Sequence, residues 1–384
     1  MSKKYSQEVN DLMASRLYPT TRSVYRQVVN VLWALGVATL GSPNLFGFIS
    51  LYVTGLILLD ERQNQSRITR FLPGRCHDAL NRLLRVIIPS TRMVMALLIT
   101  LAQSYGVKGY LCLDDVVIEK RFSKKCPWTG WTFSTSKGRN VYGLHIVVLL
   151  WCTGPVKIPV AFRLWQPKDK CAASRYRTKI QLARQMIIEI LGLPFAYLTL
   201  DCWYNARWFT KFLNGCGIIW VSTLKKNTYV IYRNRKVKAS QLARMLKPRW
   251  RKCLGLRAVA LCVYLPGYGS VRSVVTRNGH GRWEYIVTND LKADLTAIVQ
   301  RKRSRWDIET VFKDTKQLAG FAACQCRVPQ AMVRHVAFVL LTYVVLNELK
   351  VDPSETAGDV KERLQLEVIK AGGIPPEPLR ARTA

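Results

Sequence analysis

Acidic residues are scarce in this 384-residue chain: 24 Asp and Glu stand against 59 Lys and Arg, for a net charge of +35. Solubility alone needs no such excess, and the imbalance implies a polyanionic partner, nucleic acid before any other. The basic residues spread over long stretches, which argues against a single membrane-surface cluster. Histidine is scarcer still, with only His77, His145, His280 and His335, and the 11 cysteines contain no C-x-x-C pair, Cys324 and Cys326 coming nearest. Cys76-His77 is the one place where the two types adjoin, and nothing nearby in sequence completes a four-ligand set, so a structural zinc site is not expected. No Gly-rich phosphate loop or Ser–His pair stands out. The polar start MSKKYSQEVNDLMASR is no secretory leader. Reduced thiols in a cytoplasmic protein are the expectation.

Charge is also missing from Gln27 to Leu59, where hydropathy suggests a membrane span. Gly41-Ser42-Pro43-Asn44 splits that stretch into pieces shorter than the roughly 20 residues a spanning helix needs. Two buried core helices and no membrane partner are expected, a membrane hairpin being the lesser alternative.

The length suits two or three domains. Residues 1–105 read as a helical DNA-binding domain, with helices over 23–39, 45–60, 64–71, 76–87 and 91–105. Ser66–Phe71, the turn at Pro73-Gly74 and Asp78–Leu84 have the outline of a helix-turn-helix, a pattern that simple bundle packing also produces. Periodicity then changes. Apolar runs Gly109–Asp114, Tyr142–Cys152 and Val156–Leu164 predict strands in a meander. A helix (Ser174–Leu191), a strand (Phe195–Asp201), a helix (Asn205–Leu213) and a strand (Gly217–Thr223) follow. That order predicts the first part of a ribonuclease-H-like α/β core over 106–224, a mixed sheet flanked by helices.

A basic β-rich insertion is expected over 225–290, with runs at Tyr229–Tyr232, Ala258–Leu265, Ser270–Thr276 and Tyr285–Val287. Between Cys202 and Trp283 there is no acid and there are 17 Lys and Arg, which marks a phosphate-facing surface; Lys225, Lys226, Arg233 and Arg235 are its candidate contacts. The core resumes over 291–350 with one long helix from Ala293 to Gln317 and an apolar helix Val328–Leu349. A short acidic helix and a Pro-rich, disordered end over 351–384 read as peripheral.

Three acids stand out against this background. Asp114 closes the first predicted strand and Asp201 the fourth, and a carboxylate at the end of an apolar strand costs burial energy that function must justify. Glu309 lies in Arg305-Trp306-Asp307-Ile308-Glu309-Thr310-Val311-Phe312-Lys313-Asp314-Thr315-Lys316, where helical spacing puts Arg305, Glu309, Lys313 and Lys316 on one face. Such a stripe also occurs on ordinary solvated helices. Here it accompanies two strand-end acids in a basic chain. Three carboxylates suit two Mg²⁺ ions, with Mn²⁺ as a substitute, acting on a phosphodiester.

These residues resemble the DDE transposases of bacterial insertion sequences, in the branch with the Y-(2)-R-(3)-E-(6)-K signature. Arg305-(3)-Glu309-(6)-Lys316 matches its last three elements, while Lys302 stands at the Tyr position, a departure that removes the usual aromatic contact to the terminal nucleotides. Asp114-Asp115 resembles the first-strand motif with Val116 where Thr is common, Asp114 being favoured and Asp115 the fallback; Asp201-Cys202-Trp203-Tyr204 resembles the second. The resemblance covers about 105–350, and less specifically the helical start, through Thr54–Arg62.

It implies an enzyme that cuts transposon ends and joins the 3′ ends to target DNA, as a homodimer in the DNA complex, at the bacterial nucleoid. It also implies a β-rich insertion between Asp201 and Glu309 and a Trp that stacks on a flipped base during hairpin formation. Trp283 stands at a suitable place, and a Trp in the strand core is the other reading of it. Lys302, Arg305, Lys313 and Lys316 would hold DNA at the cleaved end. Two other functions share these features: a ribonuclease-H-like nuclease that cuts without joining, and a non-catalytic repressor derived from a transposase.

Overall fold

The computed structural model describes residues 3–373 except 61–62, 74–75, 86–89, 125, 135–136, 247, 279, 324–325 and 327. Glu61 and Arg62, Gly74, the end of the helix expected to reach residue 87, Cys324 and the Pro-rich end from 374 lie outside them.

Among the described residues, six α-helices open the chain: α1 (Lys3–Ser15), α2 (Pro19–Ala34), α3 (Pro43–Leu58), α4 (Gln65–Phe71), α5 (His77–Arg85) and α6 (Thr91–Ser104). The uncharged stretch divides as expected. Ser42 caps α3 by accepting from the Leu45 amide, with Pro43 in the first turn, where its missing N–H costs nothing. Nearly every α3 residue is buried, so this apolar helix is core.

The next stretch comprises β1 (Gly109–Glu119), β2 (Thr129–Ser134), β3 (Arg139–Thr153), β4 (Val156–Trp165), α7 (Lys179–Glu189), β5 (Phe195–Leu200), α8 (Arg207–Gly215) and β6 (Trp220–Thr223). Strands β4, β3, β1, β5 and β6 lie in that order, β3 antiparallel to β1, and β5 and β6 parallel to it. This is the ribonuclease-H-like mixed sheet. The inserted stretch adds β7 (Tyr229–Tyr232), β8 (Arg235–Lys238), α9 (Ala239–Met245), β9 (Arg249–Arg251), β10 (Leu256–Leu265), β11 (Gly269–Arg277) and β12 (Trp283–Thr288). Because β12 pairs antiparallel with β6, the insertion extends the same sheet to 12 strands among the described residues.

Four α-helices follow among the described residues: α10 (Leu295–Arg303), α11 (Trp306–Leu318), α12 (Pro329–Glu348) and α13 (Ala357–Lys370). α10 packs under the insertion in a small separate core with Val221, Val274 and Ile286. α12 is long and apolar enough to cross a membrane, yet it is largely buried, against α3, α5, α6 and α11.

Several expectations need correction. The first strand does not stop at Asp114, because β3 continues to pair with β1 as far as Glu119↔Gly143. A strand absent from the expected meander, β2, forms a hairpin with β3. The helix expected from 293 to 317 breaks at Ser304–Arg305 into α10 and α11. There tight turns replace the helical ladder (Asp307 N–H to Ser304 O, 3.1 Å; Ile308 N–H to Arg305 O, 3.2 Å), and the Ser304 carbonyl accepts from Cys112 Sγ of β1. α13 is not peripheral either. Its Lys361 is buried, and Nζ donates to the Leu59 and Leu318 carbonyls at 2.6 and 2.9 Å, placing a cation at the carboxyl ends of α3 and α11.

Candidate active site

Parallel pairing between β1 and β5 ends at Leu113↔Leu200, so the next residue of each strand, Asp114 and Asp201, reaches the same rim. Asp201 leaves the strand and caps the turn Cys202–Tyr204, accepting from the Trp203 amide at 3.3 Å. α11 runs along β1 over one face of the sheet. Its start is pinned by Asp307, which accepts from Tyr110 of β1 at 2.6 Å and pairs with Lys157 of β4 at 3.0 Å. Beyond its end, the Ala322 carbonyl accepts from Lys120 Nζ at 2.7 Å. This placement sets Arg305 and Glu309 above Asp114.

Arg305 joins them. Its guanidinium pairs with Asp114 Oδ2 at 2.7 Å and, through its other terminal nitrogen, with Glu309 one turn along. Burial works against the Arg305 charge, but Asp114, Glu309 and Asp201 together outweigh it and hold its pKa above the ordinary value. Asp114 is pushed up to about 7, first by burial and further by the Asp115 and Asp201 charges, against the opposing pull of Arg305 and the Asp115 amide. A carboxyl held there is the mark of acids crowded into a partly dry site.

Asp115, the alternative first acid, points to the opposite face, as strand alternation requires. It pairs with Lys179 at 2.9 Å and His145 Nδ1 at 3.2 Å, and accepts from the Tyr204 hydroxyl at 2.9 Å. Burial raises its pKa, and the His145 and Lys179 bonds and charges outweigh that and leave it below the usual range. All of its oxygens are engaged by the protein, and Tyr204 ties it to the turn that Asp201 caps. Alternation could have separated Asp114 from Asp115 in the sequence; the partners Lys179, His145 and Tyr204 had no local signal.

The remaining candidates are spread more widely. Lys313 is exposed on α11. Lys316 has its pKa lowered by desolvation and then by the nearby Lys137 charge, which sets it beside the β2–β3 hairpin. Lys302 is engaged by Glu284 of β12 at 2.6 Å, so it ties α10 to the insertion. Lys225 lies near Cys202, next to Asp201; burial and then the Asp201 carboxylate push the Cys202 thiol up, against the opposing Lys225 charge. Arg233 occupies the two-residue turn between β7 and β8, where it and Asn234 have φ of 49° and 60°, and Arg235 begins β8. Lys226 leads into the same hairpin, its carbonyl accepting from the Ser240 amide at 3.1 Å. Trp283 starts β12, half-buried against the core, with the Arg277 guanidinium 5.3 Å from its ring centre.

Among the described residues, no three His, Cys, Asp or Glu side chains already form a metal-binding cluster, and Arg305 lies between Asp114 and Glu309. The donor set nevertheless fits hard divalent ions. It consists of carboxylate oxygens only, and all three acids stabilise one cation at this point, the guanidinium itself.

Comparison with known families gives two overlapping matches. The family described as "DDE superfamily endonuclease" matches residues 41–254, and "Archaeal putative transposase ISC1217" matches residues 158–352. No curated protein matches the chain. Among solved structures, the piggyBac transposase synaptic complex with hairpin DNA is similar at 12% identity and a TM-score of 0.48, covering 90% of this chain and 74% of that one.

Proposed function

Because the chain belongs to the DDE superfamily of endonucleases and transposases, we propose that it cuts transposon ends and joins their 3′ ends to target DNA, with Asp114, Asp201 and Glu309 holding two Mg²⁺ ions. The observation that carries this reading is the convergence of Asp114 and Glu309 on Arg305, within reach of the Asp201 charge. Divalent ions held there would activate the attacking water or 3′-hydroxyl and stabilise the leaving oxygen. Arg305, released from the acids, would turn to a phosphate beside the scissile bond. Lys313 and Lys316 continue that cationic stripe along the DNA, and Lys225, Lys226, Arg233 and Arg235 carry the flanking duplex.

Excision would pass through a hairpin at the DNA end, with Trp283 receiving a flipped base. Two copies of the chain would pair two ends, in the cytoplasm at the nucleoid. The test is incubation of the full chain with end-containing DNA, target DNA and Mg²⁺. Cut ends covalently joined to target support the reading. Cutting without joining indicates a nuclease, and binding without cutting a repressor.

A further inference from the structure

The β2–β3 hairpin carries two of the most exposed aromatic rings of the described fold, Trp131 at 73% and Phe133 at 60% accessibility. Their direction follows from register. Trp131 pairs with Tyr142, Phe133 with Asn140, and Asp114 with Val148. Directly paired residues of antiparallel strands share a face, as do residues an even number of positions apart. Trp131, Phe133, Tyr142 and Asp114 therefore lie on one face of the sheet, the face that α11 crosses. Tyr142 and Val148 are six positions apart on β3, which sets Trp131 roughly 20 Å along the strands from Asp114. Stacked bases cover that distance in about six steps.

The surroundings are cationic. From Lys120 to Arg139 the sequence has six Lys and Arg and no acid; the adjoining Glu119 pairs with Arg121 and Lys137, and one carboxylate leaves the segment a large positive excess. Arg121, Lys124, Lys137 and Arg139 are exposed there. Lys137 also connects this region to the catalytic stripe through its effect on Lys316. Protein interfaces deplete charge around their aromatic anchors, whereas single-strand DNA surfaces combine aromatic rings with cations. The Trp131 ring is braced from behind. It meets Tyr142 edge-on with centroids 5.7 Å apart, and the Tyr142 hydroxyl is held by Lys170 Nζ at 2.6 Å. A braced, open ring needs little ordering to accept a base.

We propose that Trp131 and Phe133 form a stacking platform for unpaired DNA bases on the strand leaving the catalytic acids, a contact that rests on the DNA-cutting reading above. The phosphates of that strand would run over Arg121, Lys137 and Arg139.

The test uses full-length protein and fluorescence anisotropy with two labelled probes, a dT oligomer and a blunt duplex of equal length. The double substitution Trp131→Ala/Phe133→Ala should weaken dT binding by roughly five- to hundredfold, while duplex binding changes less than twofold. The salt slope on dT should stay at the wild-type value, because stacking releases no counterions. Trp131→Tyr alone should retain most of the affinity, and it guards against a folding defect in the double variant. Equal losses on both probes, or no loss on dT, would overturn the platform. So would a loss of self-association in light scattering with dT binding intact, since the rings would then be a protein interface. A wild-type protein that binds the duplex and not dT sinks this inference alone; one that binds neither sinks the DNA reading itself.

Discussion

Arg305, at the start of α11, forms an ion pair with Asp114, in the middle of β1, across 2.7 Å and 191 residues of sequence. The same guanidinium also holds Glu309, so one cation organises two of the three candidate acids. The acids must lie close together to work on one phosphate, and like charges in a partly buried site repel. A positive group between them offsets that cost until other cations take its place.

Replacing any one acid should stop the chemistry and spare DNA binding. Glu309→Gln, Asp114→Asn and Asp201→Asn each keep the shape and remove one charge, and cleavage of end DNA should fall by roughly a hundredfold or more. Binding of the ends, measured by gel shift, should be unchanged or slightly tighter. A variant that still cuts at a near-normal rate removes that residue from the set. An active Asp114→Asn beside an inactive Asp115→Asn would move the first ligand by one position.

The basic insertion should make DNA binding steeply salt-dependent and largely indifferent to sequence. Neutralising Lys225, Lys226, Arg233 or Arg235 should lower the slope of log K against log salt by about one for each phosphate that the variant no longer neutralises. Arg233→Asn suits its site, because Asn tolerates the positive φ of 49° that this turn requires. A wild-type slope near zero would assign the positive charge to another partner.

Acid should weaken the fold through His335. This ring is buried, its Nε2 donating to the Gly320 carbonyl at 3.0 Å and its Nδ1 accepting from the Tyr52 hydroxyl at 2.8 Å. Burial, then the Lys120 charge, pulls its pKa down from 6.5 to about 3. The neutral form is the one the folded state accepts. Stability is therefore complete above pH 6.5 and is lost as pH falls toward 3, because the unfolded chain takes up the proton first. The expected loss between pH 7 and pH 5 is about 2 kcal/mol. Thermal unfolding across that range should show it in the wild type, with a shallower dependence in His335→Gln. Identical pH dependence in the two proteins would rule this source out.

Trp283 tests the excision route. If a flipped base stacks on its indole, Trp283→Ala should lose roughly 1–3 kcal/mol of binding there and leave the first nick intact. Nicked DNA should then accumulate on a denaturing gel, with partial recovery in Trp283→Phe. Normal processing of both strands, or insoluble protein, would make the indole a core residue paired with Arg277.

Much of this protein was determined by local sequence. The charge excess, the order of strands and helices, the β-rich character of the stretch after Asp201 and the Arg305–Glu309 spacing all follow from composition and from periods of 2 and 3.6 residues. Such features depend on neighbours within one turn or one strand, so they are legible without the fold. Pairing partners are not. Only the tertiary structure carried β1 past Asp114, because β3 lies beside it to Glu119. It alone broke the expected long helix, where Cys112 and Asp307 bind the α10–α11 junction to the sheet. Only the fold brought Glu284 against Lys302, a pairing with no local signal, and the acidic C-terminal helix read as peripheral until Lys361 met two distant helix ends. β2 has no apolar run to mark it, because its aromatic residues face outward in alternation with small ones. Alternation along a strand determines that Asp114 and Asp115 face opposite ways; which of them meets Arg305 depends on where α11 packs, and that is decided by contacts nearly two hundred residues apart in sequence.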